Sequence, residues 1–171
     1  MRHATIDLET MGTRSTSAIV SIAAVFFEIE TDTTKEFICN VDLASSLGHG
    51  ATIDASTIYW WMQQSMEARE SLLPNLNDLP VALKKFATFF AEHNDERTSI
   101  WTHPSFDPPI LTNAFHACGL VEPYKYYQIR CLRTLEELYG WTDIPRTGTH
   151  HNALDDCLYQ MEVVKQTWRN R

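Results

Sequence analysis

The chain has 171 residues, of which 44% are hydrophobic, and a formal net charge of −8 at pH 7. This length and composition predict one globular domain over residues 1–171 with a substantial core, and five tryptophans argue against a disordered chain. The acidic charge argues against tight, sequence-independent binding along a nucleic acid polymer, because such binding usually needs a basic surface.

The sequence contains no pattern typical of export or of a membrane anchor. Its first residues do not have the pattern of a signal peptide, so we expect none, and its longest apolar stretch, residues 18–29, is too short and too interrupted to span a bilayer. The four cysteines show no paired spacing. We therefore expect reduced thiols in an intracellular, cytoplasmic protein with no membrane partner, rather than a disulfide or zinc framework.

The amino-terminal part of the chain has the pattern of a β-meander. Residues 3–8 predict a short strand, residues 19–29 a mostly buried strand rich in Val, Ile and Phe, and residues 36–41 a third strand. Because these strands follow one another closely along the chain, we expect them to pair antiparallel.

The pattern becomes helical after a loop through residues 48–50. Asp54 or Ser56 is placed to cap a helix, and residues 66–73 add another turn or two. Pro80 begins a longer helix with a regular apolar face. That face consists of Leu83, Phe86, Ala87, Phe90 and Ala91.

The second half of the chain mixes short strands with helices. The predicted elements are strands at residues 99–102 and 126–129 and helices at residues 107–117, 132–139 and 152–168. Gly119 follows the first of these helices at the position where glycine commonly ends one. Strands first, then helices and strands together, predict an α/β domain with a mixed β-sheet flanked by helices.

Asp7 and Glu9 form an acidic pair on the first predicted strand. Side chains alternate between the two faces of a strand, so this pair shares one face while Ile6 and Leu8 are buried on the other. Two adjacent carboxylates repel each other, and a divalent cation relieves that repulsion. The alternative is an exposed polar face on an edge strand, although Asp is disfavoured in strands.

Three residues follow this pair in a segment suited to binding. Gly12 predicts a tight turn, and Thr10, Met11 and Gly12 can bring backbone N–H groups close to a ligand. The alternative is an ordinary loop.

Asp107 is the acid in the middle of the chain. Because Pro108 follows it, Asp107 has the pattern of a helix N-cap with proline in the first helical position. A capping carboxylate still has lone pairs for a metal ion or its water, so the two roles are compatible. The preceding Phe106 favours a core position.

The carboxyl-terminal motif combines a histidine with two acids. With Asn152 as N-cap, Asp155 falls at the third helical position and stabilises the helix terminus, whereas Asp156 lies about 100° further round and faces the sheet. His151 precedes the helix and is suited to act as a general base near neutral pH. The alternatives are a polar turn at His150 and His151, or pairing of His151 with Asp155.

These acids are far apart in sequence but can converge in the fold. Four carboxylates and a histidine at one point are what a two-metal phosphodiester-cleaving site needs. Two bound divalent cations would also add four positive charges where a phosphate must lie, which suits an acidic protein acting at the end of a nucleic acid.

The same three segments resemble the DEDD 3′–5′ exonucleases of the ribonuclease H-like fold, in the branch with histidine in the third motif. The first motif, Asp-x-Glu-Thr-x-Gly, matches Asp7, Glu9, Thr10 and Gly12; the second, Phe-Asp, matches Phe106 and Asp107; and the third, His-x-Ala-x-x-Asp, matches His151, Ala153 and Asp156. The order and separation of the motifs fit across nearly the whole chain.

Residues 57–65 (TIYWWMQQS) are further similar to the small phage and mycobacterial exoribonuclease-like group, which is related to phage exonuclease A. The resemblance implies two Mg²⁺ or Mn²⁺ ions held by the four motif carboxylates, His151 as general base, and release of nucleoside 5′-monophosphates from a 3′ end. Many relatives are homodimers, which favours a homodimer here. One departure is His103, where relatives often carry Asn or Gly.

Two adjacent tryptophans divide between the core and the site. They lie about 100° apart on a helix, so they cannot share one face. We predict that Trp61 is in the core with Ile58 and Met62, and that Trp60 lines the cleft and stacks a base.

The predicted substrate-binding residues are Thr10, Met11, Gly12, Trp60, His103 and Phe106. Arg130 and Arg133 are alternatives for phosphate contact or are surface charges. The favoured hypothesis is a 3′–5′ exonuclease acting on single-stranded RNA or DNA. The alternatives are a phosphodiesterase of dinucleotides or very short oligomers, and a catalytically silent nucleic-acid-binding module.

Overall fold

The computed structural model describes residues 2–31, 33–140 and 144–169. Its strands are β1 (Arg2–Thr10), β2 (Ile19–Glu28), β3 (Thr34–Asn40), β4 (Ser99–Thr102) and β5 (Ile129–Cys131). Its helices are α1 (Leu43–Gly48), α2 (Ala55–Met62), α3 (Met66–Glu70), α4 (Leu79–His93), α5 (Asp107–Ala117), α6 (Leu132–Tyr139) and α7 (Ala153–Arg169). Among the described residues, no helix combines the length and the apolar character that a membrane crossing would require.

The strands form one mixed sheet in the order β3-β2-β1-β4-β5. The first three strands along the chain pair antiparallel, as predicted, and β4 and β5 run parallel to β1. Helices α4 and α5 pack on one face of the sheet, and α6 and α7 pack on the other. The predicted α/β class with a mixed sheet is confirmed.

The central strand β1 presents different chemistry to the two faces. Its residues Ala4, Ile6 and Leu8 belong to the core beneath α4 and α5. Asp7 and Glu9 therefore point to the other face, towards α7, as the alternation of a strand predicts. Both acids lie at the carboxyl end of β1, and β4, which runs parallel to it, ends at the same edge of the sheet. Ligand sites of α/β sheets commonly lie at this edge.

Several local predictions differ from the structure. The predicted strand at residues 126–129 is a 3₁₀ helix, Tyr126–Gln128, and β5 begins only at Ile129. The buried Gln128 side chain requires this turn, because its amide nitrogen donates to the carbonyl of Asp95 at 2.7 Å and its oxygen accepts from the N–H of Lys125. The strand was predicted from the aromatic residues of this segment, but Tyr126 is 88% exposed and does not pack against the sheet.

Two predicted core residues are exposed, and one helix was not predicted. Met62 and Ala91 are the last residues of the apolar patterns predicted for α2 and α4, and both are exposed to solvent. Each lies near the end of its helix, where the chain leaves the core. Helix α1 forms where only a loop was expected; Asp42 caps it, and the Ser46 hydroxyl donates to the carbonyl of Ile19 at 2.8 Å.

Candidate active site

The acidic pair on β1 is almost completely buried. Asp7 is 9% exposed and Glu9 is 7% exposed. One oxygen of Asp7 accepts a 2.8 Å hydrogen bond from the Gln160 side chain on α7. In contrast, the buried Oε1 of Glu9 has no hydrogen-bond partner among the described residues. A buried carboxylate oxygen without a donor is costly, so this atom is available to a cation.

Asp156 completes a cluster of three carboxylates. One oxygen from each of Asp7, Glu9 and Asp156 lies within 4.8 Å of the others. The start of α7 explains why Asp156 points here: Asn152 caps the helix by accepting from the backbone N–H groups of Leu154 and Asp155 at 3.1 and 3.2 Å. The next residue, Asp156, then faces the sheet, as the helical rotation predicts.

Asp155 has a different function from its neighbour. Its carboxylate accepts a 2.7 Å hydrogen bond from the backbone N–H of Thr149, before the helix begins. It also lies directly against Gly148, where a Cβ atom would be only 2.5 Å from the Asp155 carboxyl carbon. Asp155 therefore has a structural function, as expected, but it holds together the turn that precedes α7 through Thr149.

Asp107 lies in the same cavity but outside the group of three. It was predicted as an N-cap, and this is wrong: the N-cap is Phe106, and Asp107 is the first residue of α5. With Asp107 as N-cap, one of the two residues that usually donate to the cap side chain would be Pro109, which has no N–H.

The Asp107 carboxylate turns inward to donors at the end of the sheet. These donors are the backbone N–H of Leu8 at 3.3 Å, the hydroxyl of Thr102 at 2.7 Å and the backbone N–H of His103 at 3.1 Å. One donor reaches Oδ1 and two reach Oδ2, so Oδ1 retains a lone pair for another ligand.

Burial and mutual repulsion raise the proton affinity of these acids. Burial, together with repulsion from the neighbouring carboxylates, raises the pKa of Asp7 well above its usual range. The same causes raise the pKa of Glu9 to about 8, against a smaller opposing effect of Arg146. Burial raises the pKa of Asp107 to about 6, partly offset by its hydrogen bonds. Cations within the cluster would reverse these shifts.

His151 faces the same cavity from the segment before α7. Its backbone has φ of 63°, a left-handed conformation that non-glycine residues rarely adopt and that often marks functional sites. Its ring packs edge-to-face on Trp60, with ring centroids 4.6 Å apart. Burial lowers the pKa of His151, which favours the neutral imidazole.

The cavity has a volume of about 990 Å³. Its lining includes all five motif residues of the predicted catalytic set, Asp7, Glu9, Asp107, His151 and Asp156. It also includes the predicted substrate-binding residues Thr10, Gly12, Trp60, His103 and Phe106. Of the two arginines considered, Arg133 lines the cavity, whereas Arg130 bonds to the carbonyl groups of Tyr127 and Ile129.

Trp61 and Gly12 hold the end of β1 in place. Trp61 is buried, as predicted, and its indole N–H donates to the carbonyl of Thr10 at 3.0 Å. A Cβ on Gly12 would be 2.5 Å from the Ser17 hydroxyl, so any larger residue there would require the Ser17 side chain to move. The Met11 side chain packs against the small core around Trp61 rather than lining the cavity.

Two of the lining residues that the sequence did not predict, Gln160 and Arg146, contact the carboxylate cluster directly. Gln160 lies four residues after Asp156 on the same helix face, a spacing that could have identified it. Arg146 forms an ion pair with Asp156 from the segment before α7. The sequence around Arg146, Pro-Arg-Thr-Gly-Thr, has the composition of a polar loop. No pattern in it indicates that this arginine lines the cavity.

Comparison with known proteins adds independent findings. The model of the family described as "3'-5' exoribonuclease Rv2179c-like domain" matches residues 2–168. An exodeoxyribonuclease of Enterobacteria phage T4 is 27% identical over 201 residues, which cover 96% of this chain and 88% of that protein. A solved structure of Pop2p from S. pombe, with Mg²⁺ and Mn²⁺ bound, matches with a TM-score of 0.56 and 13% identity, covering 96% of this chain and 81% of that one. The structural likeness confirms the predicted ribonuclease H-like fold.

Proposed function

We propose that this protein hydrolyses single-stranded RNA or DNA with two divalent metal ions. The chain belongs to the Rv2179c-like 3′–5′ exoribonuclease domain family and is therefore a 3′–5′ exonuclease. The products would be nucleoside 5′-monophosphates. The observation that supports this proposal best is the convergence of three carboxylates from β1 and α7 within 4.8 Å, in a cavity that also contains Asp107 and His151.

The donor set fits hard divalent cations. The ligand atoms offered by Asp7, Glu9 and Asp156 are all carboxylate oxygens, the type that Mg²⁺ and Mn²⁺ prefer. The unpartnered Oε1 of Glu9 and the raised pKa of that carboxyl are consistent with a site built for positive charge. Asp107 would be the fourth carboxylate, through the lone pair left on its Oδ1. When bound, two such ions supply charge that activates a water and stabilises the leaving oxygen.

His151 is assigned to proton transfer. It faces the cavity beside Asp156, and its lowered pKa keeps a ring nitrogen unprotonated at neutral pH. An unprotonated ring nitrogen can accept the proton of the attacking water and later return it to solvent.

The remaining lining residues are assigned to the terminal nucleotide. Trp60 is 40% exposed and lies against His151, so its free face is available to stack a base. Thr10 and Gly12 border the carboxylates from the end of β1, and His103 and Phe106 line the cavity beside Asp107. Met11 is not assigned to the nucleotide, because its N–H donates to the carbonyl of Ala18 and its carbonyl accepts from Asp54.

Product analysis tests the polarity and chemistry of this proposal. An oligomer with a free 3′-hydroxyl and the same oligomer with a blocked 3′ end are incubated with enzyme and Mg²⁺ or Mn²⁺, and the products are identified by mass spectrometry. We expect nucleoside 5′-monophosphates from the free end and little release from the blocked one. Internal fragments or nucleoside 3′-monophosphates would contradict the proposal. Repeating the assay from a dinucleotide upward identifies any preference for very short substrates, and sedimentation tests the expected homodimer.

A further inference from the structure

Arg146 introduces a positive charge into the carboxylate cluster. It lies in the segment between α6 and α7, and its side chain is only 26% exposed. Its guanidinium pairs with Oδ1 of Asp156 and lies over the ring of Tyr159, with Cζ 4.8 Å from the ring centroid. The buried Nε of Arg146 has no hydrogen-bond partner within the described parts of the chain.

This arrangement stabilises the cluster in the absence of metal. Asp7, Glu9 and Asp156 repel one another, and the guanidinium offsets part of that repulsion at Asp156 and at Glu9. Removing a charged partner from such a buried group leaves an uncompensated charge, so the pair is held until another cation replaces it.

The same arrangement conflicts with metal binding. Asp156 is one of the three carboxylates that a metal would use, and Arg146 already occupies one of its oxygens. A divalent ion placed beside the guanidinium would also be repelled by it. Metal binding at Oδ1 of Asp156 therefore requires the guanidinium to leave that oxygen, and repulsion by the guanidinium opposes a metal bound at Oδ2.

The surroundings provide a position for the displaced guanidinium. The Tyr159 ring lines the cavity and can retain the guanidinium by a cation–π contact. The free N–H groups of the guanidinium form a planar fork that suits a phosphate group. A phosphate of the substrate would arrive where the carboxylates and their metal ions lie.

We propose that Arg146 competes with the metal for Asp156: it neutralises this carboxylate in the metal-free enzyme, leaves it when metal binds, and then contacts the phosphate of the substrate. This inference rests on the proposed function, because it takes Asp156 as a metal ligand. It makes Arg146 a substrate-binding residue that also lowers the affinity for metal.

Calorimetric titration of the metal-stripped protein with Mn²⁺, without substrate, tests the competition. We expect Arg146→Gln to bind Mn²⁺ roughly three- to tenfold more tightly than the unaltered protein, because one competing positive charge is gone. The matched control is Arg97→Gln, an exposed arginine just before β4 at the opposite edge of the sheet, which should leave Mn²⁺ affinity unchanged. Arg146→Met removes the same charge, keeps much of the side-chain length, and serves as a second variant with the same expected result in case the glutamine variant does not fold.

The two proposals fail in different ways. Equal or weaker Mn²⁺ binding by Arg146→Gln, while the unaltered protein binds, would overturn the competition and leave the metal site standing. No Mn²⁺ binding by the unaltered protein at millimolar concentration would overturn both. Kinetics provide the second readout: we expect Arg146→Lys to raise KM for an oligonucleotide more than it lowers kcat, because the planar fork is lost. An unchanged KM would contradict the phosphate contact.

Discussion

Gln160 on α7 donates a 2.8 Å hydrogen bond to Oδ1 of Asp7 on β1, joining two residues that are 153 positions apart in the sequence. The bond is buried, and it fixes the orientation of the Asp7 carboxylate inside the cluster. It also ties the carboxyl-terminal helix to the central strand at the candidate site. The charge of Asp7 can therefore be removed while this structural contact is retained.

We expect Asp7→Asn to lose activity by about 10³-fold or more, because one of the charges that would hold the metal is gone. The asparagine oxygen still accepts from Gln160, so the melting temperature of the metal-free protein should be unchanged or higher. Single-turnover kinetics and thermal melting of the same preparation measure the two effects. Activity within tenfold of the unaltered enzyme would remove Asp7 from the catalytic site.

His151→Gln should lower kcat by about 10²- to 10⁴-fold, the usual contribution of a general base, while Mn²⁺ affinity stays close to that of the unaltered protein. In the unaltered enzyme, kcat should decline on the acid side with a pKa below the ordinary value of 6.5, because burial lowers the pKa of His151. A pH–rate profile for both proteins checks this. A large loss of Mn²⁺ binding in the variant would instead make His151 a ligand or a structural residue.

Glu9→Gln should stabilise the metal-free protein while abolishing activity. The pKa of Glu9 is raised from 4.5 to about 8, so between these values the folded protein binds more protons than the unfolded chain, and stability falls as pH rises. Glutamine carries no charge to bury, so the advantage of the variant should grow from pH 6.5 to 8.5. Each kcal/mol corresponds to roughly 2–4 °C in melting temperature for a protein of this size.

Thermal melts in EDTA across that pH range measure the difference between Glu9→Gln and the unaltered protein. Adding Mn²⁺ should reduce this difference in melting temperature, because bound metal stabilises only the protein that keeps the Glu9 carboxylate. A variant less stable than the unaltered protein at pH 8.5 in EDTA would contradict the raised pKa.

Gly148→Ala should destabilise the protein and impair turnover by displacing the segment that carries His151. Gly148 has φ of +81°, and a Cβ would lie 2.5 Å from the carboxyl carbon of Asp155. The matched control is Gly50→Ala, where φ is +86° but no atom lies within 4 Å of an added Cβ. In the control, alanine has only the cost of a left-handed backbone conformation, about 1–2 kcal/mol of the free energy of unfolding, and the protein should remain active. Equal effects of the two substitutions on kcat would contradict a positioning role for Gly148.

Much of the site could be predicted because local rules determined it. The alternation of β1 placed Asp7 and Glu9 on one face, and the Asn152 cap determined which of Asp155 and Asp156 faces the sheet. The boundaries of β4 and α6 were also predicted correctly, since each is a short apolar or amphipathic run between clear breaks.

The remaining features depend on contacts that the local sequence does not contain. The orientation of Asp107 is determined by donors from Leu8 and Thr102, on two strands far from each other in sequence. Arg146 contacts Asp156 and the ring of Tyr159, both on α7, and its local sequence indicates neither contact. The turn at Gln128 depends on hydrogen bonds of its buried side-chain amide to the backbone of Lys125 and Asp95. No pattern of apolar residues indicates these hydrogen bonds.

The most direct test of the proposed metal-dependent exonuclease activity is degradation of matched 5′-labelled single-stranded RNA and DNA in Mg²⁺, Mn²⁺ or EDTA, with Asp156→Asn as the control. We predict a ladder shortening from the 3′ end in either metal, no degradation in EDTA and none by the variant, with the faster polymer identifying the preferred sugar. Intact RNA and DNA in both metals, or equal degradation in EDTA, would contradict it.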